Sequence, residues 1–272
     1  MLGTDLLDVV AGYGYDVVGV DRDETDITVP GGLGDYVDGC DVVVNCAAWT
    51  AVDDAETSEA QAFTLNATGA GLVALAAGAA GARMVQISTD YVFDGNATSP
   101  YPEDGPMLPR SAYGRTKAAG EWAVRALCPD HLVVRTAWLY GAHGKCFPKT
   151  IAAAGALRGA LQVVDDQVGQ PTWTRDLADL VVRLVDAQAP AGTYHGTSCG
   201  HVSWWGFARE VVAAAGLDPA IVEASATDAS ARPAPRPAYS VLGHHALQRI
   251  GVEPIGDWAQ RWKAAAGQVL ES

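Results

Sequence analysis

The sequence predicts an α/β fold: a doubly wound parallel sheet, lacking its first strand, with a smaller carboxyl-terminal lobe. Three observations carry this. Short apolar runs at 16–21, 41–45, 84–87 and 131–137 alternate with helical stretches through the first half, the order that builds a parallel sheet with helices on its faces. The run 84–87 leads into Ser88, Thr89 and Asp90, and open parallel sheets bind ligands at the carboxyl ends of their strands. From about Lys145 the alternation loosens, which points to a lobe built from the remainder.

Taken in order, Met1 to Leu7 read as the start of a helix. A doubly wound sheet ordinarily opens on an apolar strand and a glycine-rich turn. Neither precedes that helix, so the chain reads as truncated, by a misplaced or an internal start. Residues 16–21 read as a buried strand ending in an acid, Asp21. The next strand, 41–45, runs into Asn45-Cys46-Ala47-Ala48, where small side chains let backbone approach a ligand closely. Trp49 to Glu56 leads into a helix, with Thr50 at the mouth of the site.

A long helix from Glu59 to Ala80 carries Asn66, read either as a helix-packing residue or as a support for the site. Its most apolar part, 69–82, is Ala/Gly-rich and shorter than the ~20 residues of a membrane span, which reads as a buried helix. Ser111 is a helix cap ahead of the helix that begins there. The connection from Thr89 to Tyr113 is long, and connections of that length usually shape a site. Residues 131–141 read as one strand and turn, 147–160 as a helix, 161–164 as a strand and 165–172 as a loop. A helix over 175–185, a strand over 192–196, a helix opening at Ser203, an extended proline-rich segment over 229–237 and a closing helix over 258–271 complete the chain.

Lys+Arg 18 against Asp+Glu 32 leaves a net charge of −14, which argues against nucleic acid and anionic membranes as partners. Five cysteines without a C-x-x-C pattern read as reduced thiols in a cytoplasmic protein with no zinc site. No basic-then-apolar leader opens the chain, which argues against secretion. Only four lysines occur, at 117, 145, 149 and 263, so one at a meaningful spacing carries weight.

That lysine is Lys117, four residues after Tyr113. On a helix the two share a face. A cation beside a phenol favours phenolate and draws its pKa down from ~10, which makes Tyr113 a proton donor near working pH. Alone, Y-x-x-x-K describes many surface pairs. With a Ser or Thr hydroxyl at the end of a buried strand, it resembles the constellation of short-chain dehydrogenases/reductases.

Six ordered segments sharpen the resemblance: Asn45 to Asp53, Ser88 to Gly95, Pro100 to Asp104, Tyr113 to Glu121, Arg135 to Gly141 and Asp166 to Thr172. Together they resemble the dTDP-4-dehydrorhamnose reductase family, extended short-chain reductases with a Rossmann-type sheet. The resemblance implies Thr89, Tyr113 and Lys117 as the catalytic set, and Thr50, Asp90, Tyr91 and Trp138 as the lining of the sugar site. It places Arg236 near the sugar nucleotide. Gly3, which matches only the last glycine of the family's turn, would touch the cofactor with Asp21, Ala47, Ala48, Tyr113 and Lys117, while Asp26 and Ile27 run past the adenine. Asp21 lies 18 residues beyond Gly3, near the ~20 expected of the carboxylate that bonds the adenosine ribose. It favours NADH; the adjacent Arg22 suits the 2′-phosphate of NADPH, so both cofactors stay open.

The implied reaction is reduction of the C4 keto group of dTDP-4-dehydro-6-deoxy-L-mannose to dTDP-L-rhamnose. The implied organisation is a dinucleotide-binding domain over 1–145 and a substrate lobe over 146–272, with about 175–195 returning to the sheet. Mg2+ is not assignable from the sequence, and a homodimer is left open. Three alternatives stand beside this reading. A related dehydratase or epimerase would carry Asp-Glu after the threonine, where this chain has Asp90-Tyr91. A 4-ketoreductase for another dTDP-deoxysugar is a nearer rival. A non-catalytic regulatory or scaffold homologue would have no need of Thr89, Tyr113 and Lys117.

Overall fold

The structure, a computed structural model, describes residues 1–227 and 232–271. Four parallel strands form the main sheet in the order β1 (Val42–Asn45), β2 (Arg83–Thr89), β3 (His131–Thr136) and β4 (Gly192–His195). Val44 pairs with Val85, Ile87 with Val134 and Thr89 with Thr136. Side chains alternate across a strand, and both faces of this sheet are covered. Met84 and Val133 pack under α2 (Glu59–Ala80) and α3 (Ala112–Leu127) with Ala70, Val73, Ala77 and Val124. Val85, Ile87, Leu132 and Val134 pack under α1 (Leu2–Gly12) and α4 (Thr174–Asp186) with Leu2, Leu6 and Leu177. Burial on both sides is why these strands read as continuous apolar runs.

The strand expected over 16–21 is not formed, and this corrects the reading above. The segment belongs to no sheet, and Val17, Val18 and Val20 are exposed, Val18 to 85%. A β-branched run forms a strand only where a neighbour takes up its backbone donors and acceptors, and β1, the edge of the sheet, makes no ladder with it. α1 itself is well anchored. The Thr174 hydroxyl donates to the buried carboxylate of Asp5, and the Tyr13 and Tyr15 hydroxyls donate to Asp179 and Asp186.

Helix α2 spans 22 residues and, by length and composition alone, could cross a membrane; half of its most apolar stretch is buried in this fold. Between Thr64 and Gly69 it widens into a π-helical turn, a form that often marks functional positions. The strand and turn expected over 131–141 form as β3 to Thr136 with the chain turning at Ala137 and Trp138, after which Leu139–Tyr140 pairs with Thr172–Trp173. The expected loop 165–172 contains a short strand, Val168–Gly169, paired with Val202–Ser203.

The second lobe packs the helices Phe147–Arg158, Trp204–Ala214 and Trp258–Leu270 around Phe207, Tyr140 and Trp262. A parallel pair, Leu161–Val164 with Val222–Ser225, lies beside them. The loop after β2 is pinned to this half, because Tyr101 N donates to Val241 O at 2.9 Å and Tyr239 N to Gly95 O at 3.0 Å. The beginning of the proline-rich segment, through 231, lies outside the described residues.

Candidate active site

The site forms where β2 ends and α3 begins. Ser111 caps α3 by accepting from Gly114 N at 3.1 Å, and Ala112 N donates to Glu56 at 2.8 Å. Two glycines let α3 lie close to its neighbours. A methyl at Gly114 would run into the Tyr91 carbonyl, and one at Gly120 into the Asn66 carbonyl. Asn66, on the π-turn of α2, binds the turn after β1 to α3: its Oδ1 accepts from Trp49 N at 2.8 Å, and its Nδ2 donates to Thr116 Oγ1 at 2.9 Å. Thus one buried amide ties together three of the segments expected to form the site.

Thr89, Asp90, Tyr113 and Lys117 are all buried here. Thr89 Oγ1 donates to Asp90 Oδ1 at 2.9 Å and accepts from Tyr91 N at 3.2 Å. The Tyr91 ring meets the Tyr113 ring edge-on, with centroids 5.6 Å apart. Lys117 Nζ donates to the Ile87 carbonyl at 2.7 Å.

The electrostatics correct one expectation. Burial pushes the Tyr113 phenol up to about 12; the Thr89 hydroxyl opposes this, Asp90 adds to it, and Lys117 is not among the causes. Burial therefore keeps the proton on Tyr113 at neutral pH instead of letting it lean towards phenolate. Burial pulls Lys117 down to about 8, with Glu121 and Cys46 opposing. Burial also raises Asp90 to about 6. The Ser240 hydroxyl comes near enough to ease that cost but completes no hydrogen bond, and Asp90 Oδ2 and Ser240 Oγ are both buried without a partner among the described residues. Such atoms are expensive unless something satisfies them.

A cavity of about 200 Å³ opens beside Tyr91, lined also by Asn96, Arg110, Ser111 and Arg236. Arg236 is held by Asp53, Nη2 to Oδ2 at 2.7 Å. Arg110 is exposed, and its guanidinium has no ion pair among the described residues. A larger hollow of about 610 Å³ lies between α1 and α4, where Arg261 pairs with Asp176 and Arg183 with Asp179. No group of three or more His, Cys, Asp or Glu among the described residues could hold a metal ion.

The other expected residues lie in more varied settings. Ala47 is exposed, with its N–H on Asn45 Oδ1 at 3.1 Å, Ala48 is half-buried and Thr50 is exposed at the same turn. Gly3 is half-buried on α1. Asp21 and Arg22 are exposed, and Asp21 Oδ1 accepts from Arg22 N at 2.7 Å within its own turn. Asp26 likewise caps its own turn through Thr28, whose bonds hold its carboxyl below the usual range. Ile27 packs into the core under α2. Trp138 adopts φ +49°, rare for a bulky residue, and its ring stacks 3.5 Å from that of Trp204. Sequence reasoning missed Arg110 as a lining residue and Glu121 as a buried charge; Glu121 stands four residues after Lys117, a spacing that could have shown it.

Tested for a nicotinamide cofactor, the residues at the end of β1 and on α3 fit its nicotinamide ribose. The small exposed Ala47 leaves room for a close approach at the end of β1, and Lys117 spends one of its three N–H donors on Ile87.

Residues 1–271 match the family model described as RmlD substrate binding domain. The chain is 45% identical to a probable dTDP-4,6-dihydroxy-2-methyloxan-3-one 4-ketoreductase of Streptomyces antibioticus, over 99% of this chain and 92% of that one. It is 45% identical to a dTDP-4-dehydrorhamnose reductase of Streptomyces griseus, over 95% and 87%. Among solved structures, the dTDP-4-dehydrorhamnose reductase of Bacillus anthracis in complex with NADP superposes with a TM-score of 0.93 at 34% identity, covering 97% of this chain and 94% of that one.

Proposed function

This chain belongs to the RmlD substrate binding domain family, that of the dTDP-4-dehydrorhamnose reductases, and on that premise we propose that it reduces the C4 keto group of dTDP-4-dehydro-6-deoxy-L-mannose to give dTDP-L-rhamnose. The observation that carries this reading is the meeting of Thr89, Tyr113 and Lys117 at the end of β2. When bound, NADPH or NADH supplies the hydride, and a relative 34% identical holds NADP.

The protein's own groups then have distinct tasks. Tyr113, protonated well above neutral pH, donates its proton to the carbonyl oxygen as charge grows there. Such acid catalysis contributes ~10²–10⁴-fold. For Thr89 to donate to the same oxygen, its bond to Asp90 has to open. Lys117 offers its remaining N–H donors to the cofactor ribose, with Ala47 and Ala48 beside it. Gly3, Asp21, Arg22, Asp26 and Ile27 are assigned to the rest of the cofactor by family pattern alone. Asp90, Tyr91, Thr50 and Trp138 face the sugar, and Arg236 with Arg110 faces the diphosphate across the cavity by Tyr91.

Residues 1–145 form the dinucleotide-binding domain and 146–272 mainly the substrate lobe, with the strand Gly192–His195 returning to the sheet. The setting is the cytoplasm, in keeping with five free cysteines. A homodimer belongs to the proposal as well, and the mass of the protein in solution checks it.

The second reading, a 4-ketoreductase for another dTDP-deoxysugar, draws on the Streptomyces antibioticus relative, which matches as well as the rhamnose enzyme does. Incubation with NADPH and each 4-keto sugar nucleotide, with NMR of the product, separates the two. Absence of turnover with every such substrate would refute both.

A further inference from the structure

Glu121 has no solvent exposure, yet it is charged: the Arg135 and Arg125 guanidinium groups and Ser88 hold its carboxyl below the usual range against the cost of burial. Four donors meet it. Ser88 Oγ and Arg135 Nε reach Oε1 at 2.6 and 2.9 Å, while Arg135 Nη2 and Arg125 Nη2 reach Oε2 at 2.9 and 2.8 Å. Arg135 is itself buried, its third arm on the Glu103 carbonyl at 3.1 Å and 3.5 Å from His195. A buried ion pair is seldom the most stable filling of a core, so this one asks for a purpose.

Its place on the helix supplies one. Tyr113, Lys117 and Glu121 follow at four-residue steps along one face of α3. Lys117 bonds the carbonyl of Ile87 and Glu121 accepts from Ser88. These consecutive rungs join α3 to β2 just before Thr89, and so set Tyr113 against Thr89. We propose that Glu121 is a positioning residue of the reductase: it registers α3 on β2 through Ser88 and sets its carboxylate one helical turn from the Lys117 cation. The part played in reduction rests on the function proposed above; the hold on Lys117 does not.

The charged and titratable groups facing this pair are known. Lys117 meets Glu121 on its own helix and Cys46 after β1, whose thiol burial pushes up to about 12 and thus keeps neutral. Glu121 meets Arg125 on α3 and Arg135 on β3. Removing the Glu121 charge therefore lowers the Lys117 pKa, and removing the Arg125 charge raises it.

The test is an NMR titration of protein labelled with 13C at the lysine ε-carbon, in which four lysines give an assignable spectrum, beside the pH profile of kcat/KM for NADPH. In Glu121→Gln the Lys117 midpoint and the basic limb of the profile are expected to move down together by about one pH unit, a roughly tenfold loss above the wild-type midpoint, while KM for the sugar nucleotide changes less than about twofold. In Arg125→Gln, which keeps the Glu121–Arg135 pair, both move up by a few tenths of a unit. The second variant carries the test if the first does not fold. An unmoved midpoint in either folded variant, or a rate lowered equally at every pH, overturns the proposal. If the wild-type chain reduces no sugar nucleotide, the reductase reading fails while the lysine titration still decides the hold on Lys117.

Discussion

Lys117 Nζ donates to the main-chain oxygen of Ile87 at 2.7 Å, two residues ahead of Thr89. The ammonium is thereby tied to the strand and faces the site with its remaining donors. Replacing it by Met removes a charged donor, and such hydrogen bonds are worth about 1.5–3 kcal/mol. Lys117→Met is expected to weaken NADPH binding about ten- to a hundredfold in a tryptophan-quenching titration. Equal binding by the variant would contradict the role given to Lys117.

Asp90 carries a pH signature. Its carboxyl titrates at about 6 in the fold against an ordinary 3.8, so between those values the native state holds a proton that the unfolded chain has released. Stability from this group falls as pH rises through that window, and the penalty is complete above it. Asp90→Asn abolishes the penalty. Urea unfolding is expected to show little difference between variant and wild type at pH 4, and a variant more stable by about 3 kcal/mol at pH 7. A difference that does not change with pH would show that Asp90 is ionised in the fold without cost.

Arg110 and Arg236 line one small cavity beside Tyr91, but only Arg236 is already paired, with Asp53. Arg110→Gln is expected to raise KM for the sugar nucleotide roughly three- to tenfold with kcat unchanged, the loss of one partly solvated charged contact. A fall in kcat at constant KM would place Arg110 outside the diphosphate subsite.

Gly120 allows α3 to lie against the Asn66 carbonyl. A methyl there overpacks the contact, and overpacking costs ~1–3 kcal/mol. Gly120→Ala is expected to lower the free energy of urea unfolding by that measure and to reduce activity in the folded fraction, since Asn66 holds the Trp49 turn. A variant as stable as wild type would mean that the two elements part readily.

What could be read from sequence was local. The runs that became β2 and β3 were visible because both their faces are buried, and the start of α3 because Ser111 caps it. The Tyr113–Lys117 spacing was visible too. The bond Lys117 makes was not, since Ile87 lies 30 positions away. Residues 16–21 were misread because β-branched composition cannot report whether a neighbouring strand is there. The Trp138–Trp204 stack and the Arg110–Arg236 cavity join residues 66 and 126 positions apart, and no periodicity encodes such meetings.

The central claim is that Tyr113 protonates a C4 carbonyl during hydride reduction of a dTDP-4-keto sugar. The direct measurement is single-turnover oxidation of NADPH by the folded chain with that substrate, wild type against Tyr113→Phe. The account predicts one C4 hydroxyl formed per NADPH consumed, and a loss of ~10²–10⁴-fold in the variant with its circular dichroism unchanged. A variant that turns over at the wild-type rate would contradict it.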